Sequence, residues 1–243
     1  MPTSTQSVRE IVSTQPSAAA VLERFDIDLC SHADESLKQA CIGLQLSVDQ
    51  VLEKLADAAA NEHGAVPADL ARYSLSRLIQ YIVRTHHRYV RRELPRLAEM
   101  AHKVAGKHGK RASELEKIDV LLGELRAEMF AHLEKEEQVL FPFIAEMDQE
   151  SAGSCALPRA CFRTVAQSVS MMIMEHAMAE GNLAEMRNLG HGFEPPAWAC
   201  PTYIALYTGL GDFAADLRQH VHLENDLLFP RAVEMEAALN HRG

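Results

Sequence analysis

The stretch HVHLENDLLFP, residues 220–230, reads as a second copy of HLEKEEQVLFP, residues 132–142. In both, a His is followed four residues later by Glu and eight residues later by Leu-Phe-Pro. Residues four apart lie on one face of a helix. His132 with Glu136, and His220 with Glu224, therefore each present an imidazole and a carboxylate to the same side. A single such pair is as a rule a solvated pair on a helix surface. Two copies at one fixed distance from Leu-Phe-Pro indicate two halves of one site.

Around these copies Ala, Leu, Glu, Arg and Met dominate, with apolar residues three or four apart, so the chain reads as almost wholly helical. Four long helices are expected over about 68–106, 111–149, 157–189 and 198–239. The segments AGKHGKR, DQESAGSCALP and LGHGFEPPAW separate them, each with the Gly or Pro of a turn. Long helices joined by short loops imply an antiparallel up-down four-helix bundle over residues 68–243. Residues 1–62 break into shorter units, SVREIVSTQ, PSAAAVLERF, DESLKQACIGL and SVDQVLEKLADAAA. Pro16 suits a helix start, and Ser47 with Gln50 resembles a capping box. A small N-terminal helical domain is thus expected, joined to the bundle by a linker over residues 63–67 that carries Gly64 and Pro67.

The 243 residues, 47% of them hydrophobic, suffice for a real core. A formal net charge of −10 argues against a nucleic-acid partner and against an anionic membrane surface, since both require a cationic face. The N-terminus lacks the basic start and apolar run of a secretory signal, and no run of about 18 uncharged apolar residues follows. The chain is read as cytosolic. Its five cysteines, with no CxxC, suit reduced thiols better than a disulfide framework or a zinc ribbon. No GxSxG elbow and no Walker or Rossmann glycine pattern is present, so neither a hydrolase of that type nor a nucleotide cofactor is expected.

The two His-xxx-Glu pairs fall on the second and fourth expected helices, and the first and third each offer a further imidazole. On the third it is His176, in MMIMEHAMAEGN, beside a Met-rich run that would equally suit a core histidine. On the first it is His86 or His87, which point about 100° apart, so one of the two is expected to face inward. Four imidazoles and two carboxylates make a two-fold set. If Glu136 and Glu224 both bridge two ions, each ion has two nitrogens and two carboxylate oxygens. An oxo or hydroxo bridge adds a fifth ligand and leaves one octahedral position open. Such donors suit iron or manganese, and two non-haem irons are the expected cofactor. Glu137 is read as a surface charge. Glu128 and Glu175 are candidates for orienting the ligands or moving protons and cations, with plain solvation as the alternative.

At HHRYVRRELPRL, HLEKEEQVLFP, EHAMAEGN and HVHLENDLLFP the chain resembles the hemerythrin-like HHE cation-binding domain. With its N-terminal part included, it is similar to the repair-of-iron-centres (RIC) family, the YtfE/ScdA/NorA group. The family's first-helix motif has a His seven residues before the Leu of ELP, which selects His87 over His86. By the same matching, His132, Glu136, His176, His220 and Glu224 take the other ligand positions. The resemblance implies a diiron protein that restores iron–sulfur clusters after nitrosative or oxidative stress, by supplying iron to damaged or apo forms. It also implies an alternative, nitric-oxide or oxygen binding or the reduction of nitric oxide, and it allows a homodimer. Hemerythrins that carry oxygen reversibly use five His. A four-His set leaves both irons more open and favours reactivity or metal release.

FDIDLCSHADESLKQAC resembles the family's N-terminal domain, which usually carries a Cys-Cys pair. Here Cys30 is followed by Ser31 and preceded by Leu29 where an aromatic is common, so a dithiol mechanism is not expected. Cys30 is read either as a reactive thiol or as a partly buried structural residue. Cys41, Cys155, Cys161 and Cys200 are read as structural, and the remaining histidines, His222 among them, as surface residues.

Overall fold

The computed structural model describes residues 2–15, 18–29, 31–61, 69–150 and 164–240. Cys30, Pro16, Gly64, Pro67, His63, Cys155, Cys161, His241 and the expected helical residues 157–163 lie outside them. Two compact units are present: Met1–Val66 with Glu99–Glu116 and Leu189–Gly211, and Pro67–Ala98 with Lys117–Asn188 and Asp212–Gly243.

In the first unit four short helices follow the expected segments: α1 (Val8–Thr14), α2 (Ala18–Arg24), α3 (Leu37–Gly43) and α4 (Val48–Asn61). Ser7 with Glu10 and Ser36 with Gln39 form reciprocal capping boxes that satisfy the first N–H groups of α1 and α3. Ser47 Oγ accepts from Gln50 N at 3.4 Å at the start of α4. Ile11, Leu22, Ile27, Leu37, Val51 and Leu55 are fully buried. So is Cys41, whose thiol is pushed up by burial, in line with its structural reading.

Three of the four long helices of the bundle are interrupted by a π turn. The first runs through α5 (Leu75–Ile82), a π-helical turn at Val83–His87 and α6 (Arg88–His108). The second is α7 (Glu114–Lys135), a π turn at Glu136–Leu140 and α8 (Phe141–Glu150). The third is α9 (Val165–Leu189), and the fourth is α10 (Pro201–His222), a π turn at Leu223–Leu228 and α11 (Phe229–Asn240). The architecture is all-α, an antiparallel four-helix bundle preceded by small helices, as expected. Gly109 closes α6 with its N–H on Ala105 O, and a Cβ there would meet that oxygen at 2.6 Å. No helix among the described residues is long and apolar enough to cross a membrane.

Two of the π turns have a cause in Leu-Phe-Pro. Pro142 and Pro230 have no N–H to give the carbonyl four residues back, and their rings crowd it. The backbone widens instead, and Phe141 N–H and Phe229 N–H reach five residues back to the carbonyls of Glu136 and Glu224. The core of the second unit packs Leu78, Ile82, Leu140, Phe141, Ile144, Met147, Leu228 and Phe229 together. In the Met-rich run only Met172 joins it, while Met171, Ile173, Met174 and Met178 are exposed.

Ile144 is fully buried in this cluster. Ile144→Ala is expected to lower stability by about 2–5 kcal/mol, read as a shift in the midpoint of chemical unfolding at unchanged helix content.

Candidate metal centre

His87, His132, Glu136, His176, His220 and Glu224 all lie in the second unit, and each is at most 2% exposed. They form two groups that share both carboxylates: His87, Glu136, His220 and Glu224, and His132, Glu136, His176 and Glu224. Within each group one donor atom per residue lies within 4.8 Å of all the others. Glu136 Oε2 is 3.4 Å from His87 Nε2 and 3.3 Å from His132 Nε2. Glu224 turns Oε1 toward His220 Nε2 at 2.9 Å and His87 Nε2 at 3.4 Å, and Oε2 toward His176 Nε2 at 3.0 Å. Each carboxylate thus spans the two groups.

His86 and His87 are both buried, where one inward residue was expected. They differ in what they meet. His87 turns Nε2 to the two shared carboxylates, whereas His86 gives Nδ1 to Asp216 Oδ1 at 2.9 Å. Burial of His86 follows from its packing on α10, where its ring stacks on that of His220 at 5.8 Å and 9°.

The far nitrogens are held as well. His87 Nδ1 donates to Glu137 Oε1 at 2.8 Å, His132 Nδ1 to Glu175 Oε2 at 3.0 Å, and His176 Nδ1 to Asn225 Oδ1 at 3.0 Å. Reading Glu137 as a surface charge is therefore corrected. The π turn begins at Glu136, and Glu137 reaches His87 with Arg91 beside it at 3.3 Å. Glu128 follows its alternative reading of plain solvation: it is exposed and accepts from Asn182 Nδ2 at 3.1 Å. Glu175 binds His132 and also pairs with Lys135. His222 is exposed and paired with Asp226, as expected. His108, read as surface, is half-buried with Nε2 3.3 Å from Cys200 Sγ.

Asn225 was not singled out from sequence and Glu137 was read only as a solvated charge, although each directly follows the Glu of its His-xxx-Glu copy. The Phe of each Leu-Phe-Pro also has a place here. Phe141 stacks on His87 at 5.5 Å, and Phe229 on His176 at 6.2 Å. Each copy therefore supplies two candidate donors of its own, then a polar clamp and an aromatic wall for the imidazole of a different helix.

The donor set fits a metal on the structure's own terms. With their Nδ1 atoms donating, neutral His132 and His176 turn two Nε2 lone pairs at each other across 3.0 Å, which is repulsive unless a cation or proton lies between them. Both oxygens of Glu136, Glu224 Oε2 and His220 Nδ1 are buried without a hydrogen-bond partner, although Glu136 Oε2 is within ion-pair distance of His87 and His132, and Glu224 Oε2 of His176. Unpaired buried carboxylate oxygens are costly in a protein core. In the metal-free chain, protons answer that demand. Burial opposes the charge on His87, but the hydrogen bonds to Glu137 and Glu224 and the field of both shared carboxylates outweigh it and raise the pKa to about 9. His132 is likewise raised to about 9, burial being outweighed by Glu136 and Glu224 with help from Glu175. Burial lowers the pKa of His220, against the opposing pull of Glu224. Glu224 is held well below the usual carboxylate range: burial opposes its charge, but His220, His176 and His87 prevail.

Four imidazoles and two shared carboxylates inside a four-helix bundle define a cation-binding protein of the hemerythrin type. The family described as "Hemerythrin HHE cation binding domain" matches residues 78–232, and a "Domain of Unknown function (DUF542)", ScdA_N, matches residues 4–59. The chain belongs to the hemerythrin HHE family and, within it, to the YtfE-type group that the sequence resembled. It is similar to the "Iron-sulfur cluster repair protein YtfE" of Enterobacter sp. (strain 638) and of Yersinia pestis, each 32% identical over 95% of this chain and 98% of the relative. The protein of the same name from Pectobacterium carotovorum subsp. carotovorum (strain PC1) is 33% identical over the same shares.

A folded-state pKa of about 9 for His87 and His132 lies above the unfolded value, so their contribution to stability is full below about pH 6.5 and is lost as pH rises through about 9. The melting temperature of the metal-free protein should accordingly fall between about pH 7 and 10, and metal loading near pH 7 should release about two protons per chain, read with a pH indicator in weak buffer. Glu137→Ala should weaken metal binding by about 10- to 100-fold in a chelator competition, while Glu128→Ala leaves it unchanged.

Proposed function

We propose that this chain is a cytosolic non-haem diiron protein that restores iron–sulfur clusters damaged by nitrosative or oxidative stress, by supplying iron to the damaged or apo client. The observation that carries this reading is the pair of four-donor groups joined through Glu136 and Glu224. Imidazole and carboxylate donors without thiolate suit iron over a closed structural zinc site. His87, His132, His176 and His220 would bind through Nε2, two to each ion, with Glu136 and Glu224 shared and an oxo or hydroxo bridge between. Bound there, the irons supply redox and Lewis-acid chemistry. The chain's residues hold the imidazoles in one tautomer through Glu137, Glu175 and Asn225, and the phenyl rings of Phe141 and Phe229 keep water from their faces. The naming of its relatives for iron–sulfur cluster repair supports the role.

Residues 1–62 act as a distinct N-terminal domain that assists by docking, by dimerisation or through Cys30. Glu175, exposed on one side and bonded to His132 on the other, is the residue best suited to pass cations or protons. A second reading, in which nitric oxide or oxygen is bound, rests on the positions that four imidazoles leave open; the count itself, where reversible oxygen carriers have five, favours reactivity or metal release.

Metal analysis and the visible spectrum, taken before and after anaerobic transfer to an apo iron–sulfur acceptor, separate these readings. About two irons per chain, with absorption that falls as the acceptor gains a cluster, is the outcome expected of repair. Iron that stays bound while the spectrum answers only to nitric oxide would establish the second reading instead, and no iron would exclude both. Glu136→Ala and Glu224→Ala should each cost one shared ligand and lower metal content, whereas His87→Ala should leave a weakened site with an altered spectrum.

A further inference from the structure

The two halves of the centre correspond residue by residue, and at one position the correspondence fails. Around the first His-xxx-Glu copy, His132 has its Nδ1 on Glu175, the residue just before the ligand His176 of the third helix. Around the second copy the equivalent of His132 is His220, and the residue just before the ligand of the first helix is His86. His86 cannot repeat the role of Glu175, because its own Nδ1 is engaged with Asp216 Oδ1 at 2.9 Å. His220 Nδ1 is buried without a hydrogen-bond partner, and so is the second oxygen of Asp216. Asp216 stands four residues before His220 on α10, one turn away on the same face. In the first half that position belongs to Glu128, which faces solvent.

We infer that Asp216 is the positioning residue of the second half, its Oδ2 accepting from His220 Nδ1 in the metal-loaded protein while its Oδ1 is braced by His86. This rests on the reading of His220 as a metal ligand. The chemistry is that of the other three imidazoles: a histidine bound to metal through one nitrogen gives its other N–H to an oxygen that fixes ring orientation and tautomer. Three such oxygens are in place, from Glu137, Glu175 and Asn225. His220 has no exposed surface, so its N–H has no recourse to bulk water, and the nearest turn of its own helix carries the carboxylate oxygen that lacks a donor. His86 takes on a role in this arrangement. Stacked parallel to His220 and bonded to Asp216, it fixes both the ring and the carboxylate that orients it.

The test uses the full chain with zinc as a diamagnetic probe and its histidines labelled with nitrogen-15. Long-range proton–nitrogen spectra of the loaded protein should show four imidazoles bound through Nε2, with a downfield, hydrogen-bonded Nδ1–H on each, His220 included. In Asp216→Ala the His220 Nδ1–H alone should lose its downfield shift, and zinc should pass to a chelator about 10-fold faster. Asp216→Asn keeps the shape of the side chain and carries the test should the alanine variant not fold; it should move the same one signal by a smaller amount. A His220 Nδ1–H unmoved by either substitution, or four signals that move together, would overturn the inference. Wild-type chain that shows no zinc-bound imidazole would overturn the site itself, a result seen before any substitution is made.

Discussion

Two carboxylates, Glu136 and Glu224, are buried side by side in the middle of a helical bundle, and everything around them answers to that fact. Anionic oxygens with no access to water require positive charge, and the four surrounding imidazoles can supply it in only two ways. Either they take up protons, as the elevated His87 and His132 do in the metal-free chain, or they turn neutral lone pairs onto a shared cation. Protons and metal thus compete for one place. That competition couples folding, metal loading and release within a single constellation.

The duplicated sequence accounts for the economy of the site. Each His-xxx-Glu-…-Leu-Phe-Pro copy provides two donors, a clamp one residue beyond the Glu, and a phenyl ring for the imidazole of a different helix. Its proline, by withholding an N–H, opens the backbone into a π turn, and in each copy the N–H of the preceding Phe reaches five residues back to the carbonyl of that copy's own Glu. Motif and backbone irregularity are one device: the residue that breaks the helix also sets the carboxylate's own peptide.

Much of this was legible beforehand because it is local. Helical spacing put His132 with Glu136 and His220 with Glu224, and the loops marked by Gly and Pro gave the four long helices. What stayed hidden depends on partners across the bundle. Glu137 read as solvated because a charge next to an inward residue ordinarily points away, and only the wider turn and the nearness of His87 reveal its bond. Glu128 sits a turn before His132, a position that suits a supporting carboxylate, yet it faces solvent beside Asn182. The Met-rich run around His176 looked like core and is largely exposed, since apolar character alone does not say which face a neighbouring helix covers.

By itself, then, the sequence determined the class of fold, the repeat and the types of candidate donor, because periodicity and spacing along one helix fix which side chains share a face. The choice between adjacent residues was decided by tertiary structure. His86 and His87 are equally buried, and only the packing of α10 gives one of them Asp216 and the other the shared carboxylates. Burial and hydrogen-bond pairing are properties of surfaces brought together from distant parts of the chain, and no spacing within a single segment encodes them.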